Sequence, residues 1–343
     1  MKVEEIARTL IARLESGVYG TGSRFPSEYR LAEEFSVDKT TANKAVAQLV
    51  GKGYLERGKQ GSGTYVKQTR LFPAGHIAII LPSPIDYFNA RILDGAQNAA
   101  LARGYLMNVI APPSGELERY LNSLGKSTVA GVISVGMSVQ VPVPSITVDY
   151  DYAAELPGGN LVNTDNLAGG HAMMREVIAR GHREIAVYST IRINLDRQRR
   201  VRGFVAEMEK MKNRRIGERI YYGAQWSAAD AEKNLAQMLR DFPELSIIVC
   251  DSDDAASVLL DAAKKLKIDL PGRIAVTGFG NVIGNYGGIL NIANVEQFPD
   301  RLGAAACSHL IRRIESGKEA EPVRDFFPPE LIHPEYIPSV DVK

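Results

Sequence analysis

Residues 22–66 read GSRFPSEYRLAEEFSVDKTTANKAVAQLVGKGYLERGKQGSGTYV. Ser27 stands just ahead of Glu28, Leu31 and Ala32, the place of a side-chain N-cap. Leu31, Ala32 and Phe35 give the helix that follows one inward face. Phe35-Ser36-Val37 breaks the period, and Asp38 caps a second helix in which Ala42, Val46, Leu49 and Val50 recur at three- and four-residue steps. Left outward at the start of that helix are Lys39, Thr40, Asn43 and Lys44, a row of donors with no carboxylate after the cap. Two such helices set at an angle form a helix-turn-helix, which presents its second helix to a DNA major groove. Tyr54-Leu55-Glu56 and Gly63-Thr64-Tyr65-Val66 form a hairpin with Lys59–Gly63 at its tip, a wing.

The register of Pro26-Ser27-Glu28, Leu31-Ala32, Phe35, Val37, Thr40, Leu49, Gly53-Tyr54-Leu55 and Gly61-x-Gly63-Thr64-x-Val66 resembles the winged-helix domain of the GntR family of bacterial transcription regulators. The resemblance covers residues 1–67 and implies DNA contacts from both helix starts and from the wing. Those are Ser27, Glu28 and Tyr29; Asp38, Lys39, Thr40, Thr41, Asn43 and Lys44; then Lys59, Gln60, Gly61 and Gly63. Relatives commonly carry arginines where this chain has Lys39 and Asn43. Arginine reads guanine bidentately, whereas asparagine prefers adenine, so the half-site is expected to depend less on guanine at the Asn43 position. Lys39, Lys44 and Lys59 are expected to hold phosphates.

The chain has 343 residues and a net charge of +1, room for two or three domains. Residues 1–68 hold 11 Lys and Arg against 8 Asp and Glu, a net of +3, and the remainder 30 against 32, a net of −2. A mildly basic head on a slightly acidic body fits a DNA-reading module attached to something else. The two cysteines, Cys250 and Cys307, lie in apolar or Ala-rich runs and read as buried thiols. With no apolar leader and no membrane-length run, a soluble cytoplasmic protein is expected.

Val3, Ile6, Ala7, Leu10, Ile11 and Leu14 mark an amphipathic helix ahead of the quoted stretch. Residues 68–75, with Pro73 and Gly75, read as a linker. From His76 onward, short apolar runs such as Ile77–Leu81, Gly131–Val135, Ile185–Tyr188 and Ile247–Cys250 alternate with helical patterns. Strands without polar alternation, spaced by helices, mean parallel sheets covered on both faces, here two α/β lobes. Ligands in such folds sit beyond the carboxyl ends of the strands.

Residues 77–97, Asp165-Asn166 with Gly170, Gly181-His182-Arg183, Arg200-x-x-Gly203-Phe204, Trp226-Ser227-Ala228, Leu270-Pro271-x-x-Ile274-Ala275-Val276-x-Gly278-Phe279 and Val295-x-Gln297 resemble the effector domain of the LacI family, itself similar to periplasmic sugar-binding proteins. The expected fold class is therefore an N-terminal winged helix-turn-helix, mainly α, plus a two-lobed α/β/α effector domain over 76–343. Lobe 1 is expected at about 76–180 and 298–322, and lobe 2 at about 182–296 and 324–343. The combination is similar to chimeric arabinose-repressor-type regulators. It implies a homodimer joined through the effector domain, with Leu93, Ala96, Ala100 and the 299–311 helix on elements that pair in relatives, or else in the lobe's own core.

A sugar-like ligand needs an apolar stacking face and a few groups that bond hydroxyls. Trp226, the single tryptophan, sits in a polar loop and is expected to stack. Arg200 matches the family's ligand-contacting arginine, and its planar fork suits vicinal hydroxyls or a carboxylate. Asp165 is either a ligand group or a helix cap, and Asp251 stands where relatives have Asn. Ser83, Phe88 and Asn89 align with a first-lobe loop facing the cleft, and Phe88 reads equally as core. The family's hydroxyl-clamping Asp is replaced by Gly280, leaving its role lost, or taken by Asn281 or Asp251.

No metal, cofactor or membrane partner is expected. His76, His171, His182, His309 and His333 form no ligand cluster, no nucleophile–base pair is evident, and Gly278–Gly284 lacks dinucleotide spacing. The reading is a repressor of carbohydrate-utilisation genes that binds operator DNA and responds to a sugar-like effector. A purine, sugar acid or sugar phosphate effector, and a constitutive DNA binder with a non-functional cleft, are the alternatives.

Overall fold

The spacing in residues 2–66 becomes three helices and a hairpin in the structure, a computed structural model. It describes every residue except 1, 60–61, 70–72, 84, 114, 125–127, 151–158, 191–194, 212–215, 225, 283–291, 318–320 and 341–343. Helices α1 (Val3–Glu15), α2 (Glu28–Glu34) and α3 (Lys39–Gly51) bury Ile6, Leu10, Leu14, Leu31 and Leu49 in one core. Both expected caps form: Ser27 Oγ accepts from Arg30 N at 3.3 Å, and Asp38 Oδ1 from Thr41 N at 2.8 Å. Strand β1 (Leu55–Arg57) runs antiparallel to β2 (Thr64–Val66), with Leu55 opposite Val66. The segment ahead of α2 lines the other edge of β2, where Gly22 N donates to Val66 O at 2.7 Å and Phe25 N to Thr64 O at 2.8 Å.

Backbone packing divides the chain into two units, Met1–His76 with Ala100–Met107, and Ile77–Ala99 with Asn108–Lys343. The elements after the hairpin are β3 (Gly75–Ile80), α4 (Tyr87–Ala102), β4 (Tyr105–Ile110), α5 (Leu117–Ser123), β5 (Gly131–Val135), β6 (Ser145–Val148) and β7 (Leu161–Thr164). Then come α6 (Asn166–Ala179), β8 (Ile185–Ser189), α7 (Leu195–Lys210), β9 (Ile220–Tyr222), α8 (Ala228–Asp241), β10 (Ile247–Cys250), α9 (Asp253–Leu266) and β11 (Ala275–Thr277). The chain closes with β12 (Asn294–Glu296), α10 (Pro299–Ser316), β13 (Arg324–Phe327) and β14 (Glu330–Ile332).

Two parallel sheets result. One is ordered β13-β7-β6-β5-β3-β4, the other β11-β10-β8-β9. Residues Gly131–Val135 and Ile247–Cys250 are buried throughout, as strands covered on both faces must be. A small antiparallel pair, β12 with β14, packs its Val295 and Leu331 against the second lobe's core.

The chain passes between lobes at three places, and two differ from expectation. Helix α6, expected in lobe 1, places Met173, Met174 and Val177 in a core with Ile185, Phe204 and Val249, so it belongs to lobe 2 and the first crossing lies at Asp165 rather than near 181. Residues 324–327, expected in lobe 2, form β13 and extend the lobe 1 sheet beside β7, with Arg324 opposite Leu161; the last crossing is at 328–329. Glu296–Pro299 makes the remaining crossing. Of the residues placed on pairing elements or in the lobe's own core, Ala96 and Ala100 are fully buried within the single chain, as the core reading has it.

Helices α6 and α7 touch backbone to backbone. A Cβ at Gly170 would lie 2.3 Å from Arg200 O, and one at Gly203 2.6 Å from Leu167 O. Beside this contact the Glu207 carboxylate accepts from His171 Nδ1 at 2.7 Å, Arg175 Nε at 2.9 Å and Lys210 Nζ at 2.7 Å. Burial pushes the Glu207 carboxyl up, but its hydrogen bonds from Lys210, Arg175 and His171 outweigh burial and hold it at about 2, below the ordinary 4.5. A depressed carboxyl stabilises the fold above its unfolded value, and that contribution fades as pH falls toward the folded one. Glu207→Gln should therefore lower the urea midpoint at neutral pH, and the difference from wild type should shrink as pH drops from about 4.5 to about 2.

Candidate functional site

On the head, the exposed face at the start of α3 is pre-arranged by side-chain contacts. Lys39 Nζ sits 3.8 Å from the ring centroid of Tyr29, which is 69% exposed, so the two form a cation–π pair on the surface. Thr40 and Lys44 are exposed. Asp38 and Thr41 are engaged with each other: Thr41 Oγ1 donates to Asp38 Oδ2 at 2.7 Å, and this hydroxyl holds the Asp38 carboxyl below its usual range. Asn43 Oδ1 accepts from Arg57 Nη2 at 2.7 Å, and the same guanidinium lies 3.9 Å from Glu28 Oε1. Gly63 has φ +103, a backbone conformation that favours glycine, and the Arg24 side chain lies over it. Lys59 is exposed, while Gln60 and Gly61 lie outside the described residues. A groove of about 510 Å³ beside α2 is lined by Arg24, Ser27, Glu28, Arg30 and Gly63. Arg24, Arg30 and Arg57 were not singled out by the helix pattern, because none belongs to the start of α3.

In the two-lobed unit the carboxyl ends of the strands carry the polar groups. Arg200, on α7, is buried, and its fork is fully directed. Nε donates to Asn166 Oδ1 at 2.8 Å, Nη1 to Asp251 O at 2.9 Å and Nη2 to Gln297 Oε1 at 3.2 Å. Its carbon Cζ lies 4.1 Å above the Phe279 ring. Burial, with Arg197 adding, draws the Arg200 pKa below its ordinary value; Asp149, Asp196 and Asp251 oppose. Gln297 Nε2 in turn donates to Thr164 Oγ1 at 3.3 Å, and Asp196 Oδ1 accepts from Asn163 and Asn166 at 2.7 and 3.0 Å. Arg200 is thus fastened to two of the three lobe crossings, through Asn166 and Gln297.

Asp251 is fully buried at the end of β10. Its carboxylate accepts from Ser189 Oγ at 2.5 Å and Ser252 Oγ at 3.2 Å; burial raises its pKa, while Arg197, Ser189 and Arg200 oppose. Arg197 donates to Thr190 Oγ1 at 2.7 Å, Ser252 Oγ at 2.8 Å and Asp254 Oδ2 at 3.1 Å. Across from this group, Asp86 Oδ1 accepts from Asn89 N at 2.8 Å, and burial, with Asp254 contributing, raises its pKa. Asn89 is buried and Phe88 half-buried at the start of α4, and Ser83 is exposed.

Other expected residues stand apart from Arg200. Asp165 caps α6, accepting from Ala168 N at 2.9 Å. Asn281 Nδ2 donates to Glu296 Oε2 at 2.5 Å, and Glu296 Oε1 also pairs with Arg91 at 3.2 Å. Gly280 has φ +116, a backbone that an aspartate rarely adopts. Trp226 is 62% exposed, with φ 60, immediately before the α8 cap Ser227; among the described residues it joins none of the hydrogen bonds around Arg200. Cys250 and Cys307 are both buried free thiols, and among the described residues no group of metal-ligating side chains assembles.

Two family profiles match the chain: residues 2–66 match "Bacterial regulatory proteins, gntR family", and 174–333 match "Periplasmic binding protein-like domain". The chain joins a GntR-type DNA-binding head to a LacI-type, periplasmic-binding-protein-like effector domain. It is a ligand-responsive transcription regulator and not an enzyme. An arabinose metabolism transcriptional repressor of Halalkalibacterium halodurans is 21% identical over 341 residues, covering 93% of this chain and 90% of that one. The HTH-type transcriptional repressor PurR of Proteus mirabilis is 26% identical over 258 residues, covering 69% and 72%. Among solved structures, a transcriptional regulator CelR–cellobiose complex superposes with TM-score 0.66 at 19% identity, over 90% of this chain and 98% of that one. A LacI family regulator of Enterococcus faecium with bound ribose gives 0.63 at 17%, over 75% and 96%. These superpositions establish the fold. Among the described residues of the regulator no helix is long and apolar enough to cross a membrane.

Lysine at position 200 would keep the charge but could not reach Asn166, Asp251 and Gln297 together. Arg200→Lys should cost at least about 2 kcal/mol, since hydrogen bonds to a charged group are lost in a buried site. Chemical denaturation of the full chain measures this.

Proposed function

We propose that the regulator is a dimeric repressor of carbohydrate-utilisation genes and that a neutral sugar-like effector bound near Arg200 alters its grip on operator DNA. The observation carrying this reading is the fastening of one buried guanidinium to Asn166 and Gln297, at two lobe crossings. A polyol that takes up donors or acceptors of this network competes directly with the bonds that set the angle between lobes. Binding energy then becomes a difference between two lobe arrangements, which is the requirement for a ligand to shift a conformational equilibrium. Names of full-length relatives support a sugar: two repressors of arabinose metabolism cover more than nine-tenths of this chain. Asp251 and Asp254 beside Arg197, and Asp196 beside Asn166, offer carboxylate acceptors to hydroxyl donors. Trp226, exposed ahead of α8, supplies an aromatic face in the same unit.

The dimer is assigned to the surface of α4 and α10. These helices cross with backbone contact, since a Cβ at Gly303 would lie 2.0 Å from Ile92 O and one at Gly95 1.9 Å from Asp300 O. A pair locked in this way moves as one body, which suits an element that passes lobe movement to a partner subunit.

A thermal-shift panel of pentoses, hexoses, disaccharides, sugar phosphates and nucleobases tests the effector. At 100 times its Kd a ligand stabilises by about 2.7 kcal/mol. The expected hit is a neutral sugar that also changes affinity for operator fragments, a response that Arg200→Lys abolishes. A nucleobase hit would instead favour the purine reading raised by the relatives named PurR. No response to any compound would favour a cleft without an effector.

A further inference from the structure

The geometry points to Arg57, at the base of the wing, as the residue that selects guanine in each half-site, with Asn43 serving to aim it; this rests on the regulator binding operator DNA. Asn43 is exposed on the outward face of α3, one turn beyond the Asp38 cap. The Arg57 side chain reaches it from β1, and Nη2 donates to Asn43 Oδ1 at 2.7 Å. The Arg57 side chain is 52% exposed, and the same Nη2 lies 3.9 Å from Glu28 Oε1. Among the described residues Nε and Nη1 have no protein acceptor, so a fork of N–H groups remains open beside the recognition helix.

The hydrogen bond decides what this patch can read. Adenine recognition by asparagine needs the amide oxygen to accept from N6 while the amide nitrogen donates to N7. Here one of the oxygen's two lone pairs is taken by Arg57, and the positive charge beside it disfavours the adenine N6 donor. Asn43 Nδ2 and the rest of the Arg57 fork remain, all of them donors, with the Glu28 carboxylate 3.9 Å from the guanidinium. Guanine presents two acceptors in the major groove, O6 and N7, and matches these donors. The missing recognition-helix arginine is thereby supplied from 14 residues further along the chain, and the expectation of weak guanine dependence at Asn43 is reversed.

Selection of binding sites from random duplexes with the full chain tests this, followed by titration of the selected site against a copy carrying a G·C to A·T exchange at the position facing Asn43. Wild type should select guanine there and discriminate by roughly 10- to 100-fold. Arg57→Ala and Arg57→Lys should each bring the ratio close to one, while Asn43→Ala keeps guanine the preferred base with a smaller ratio. Thermal unfolding of each variant separates loss of reading from loss of fold. The inference is overturned if wild type selects adenine and Asn43→Ala removes that choice. It is also overturned if Arg57→Ala weakens all sequences equally and lowers the salt slope by about one, the mark of a phosphate contact. Failure of wild type to enrich any duplex would sink DNA reading by the head as well, an outcome distinct from either.

Discussion

A single buried cation sets the terms for the two-lobed unit. Arg200 has no carboxylate within ion-pair distance among the described residues, and its charge is met by two side-chain amides, a main-chain carbonyl and the face of Phe279. Removing a guanidinium from water costs several kcal/mol unless its donors are satisfied. The partners are therefore obligatory, and two of them sit where the chain crosses between lobes. Stability of the lobe 2 core and geometry of the crossings are tied to the same side chain.

The head follows a different logic. Its core is local, with three helices and a hairpin closing over Ile6, Leu10, Leu31 and Leu49 within a short length of chain. Its chemistry lies in side-chain pairs formed on the surface before DNA arrives: Lys39 on Tyr29, Thr41 on Asp38, and Arg57 on Asn43. Groups held in place lose less rotamer freedom on binding, and that saving goes to affinity.

Periodicity made the helices and most buried strands legible, because Ile247–Cys250 or Gly131–Val135 have only apolar or small side chains to show. Strand β7 was hidden by its own composition: Leu-Val-Asn-Thr carries two polar residues, and both are buried because Asp196 and Gln297 supply their partners. The lobe limits rested on the family resemblance, and with β7 unread nothing in the pattern moved α6 to lobe 2. Strand β13 was hidden for the opposite reason, since Arg324–Phe327 alternates like an edge strand and its parallel neighbour lies far away in sequence. Of the candidate site, Arg200 and Asp251 were readable from motif position and converge. Asp86, Asp196 and Arg197 were not, because ordinary charged residues gain meaning only from what folding sets beside them.

The close contact of α6 with α7 has a mechanical corollary. With only glycine at 170 and 203, the two helix backbones have no side-chain cushion between them, and the carbonyl of Arg200 itself rests against Gly170. A soft interface would absorb a small displacement of the arginine by rotamer changes. A bare one has no such slack, so the helices are geared together. A shift of the α7 backbone at Arg200 therefore bears directly on α6, the helix that begins at the first lobe crossing.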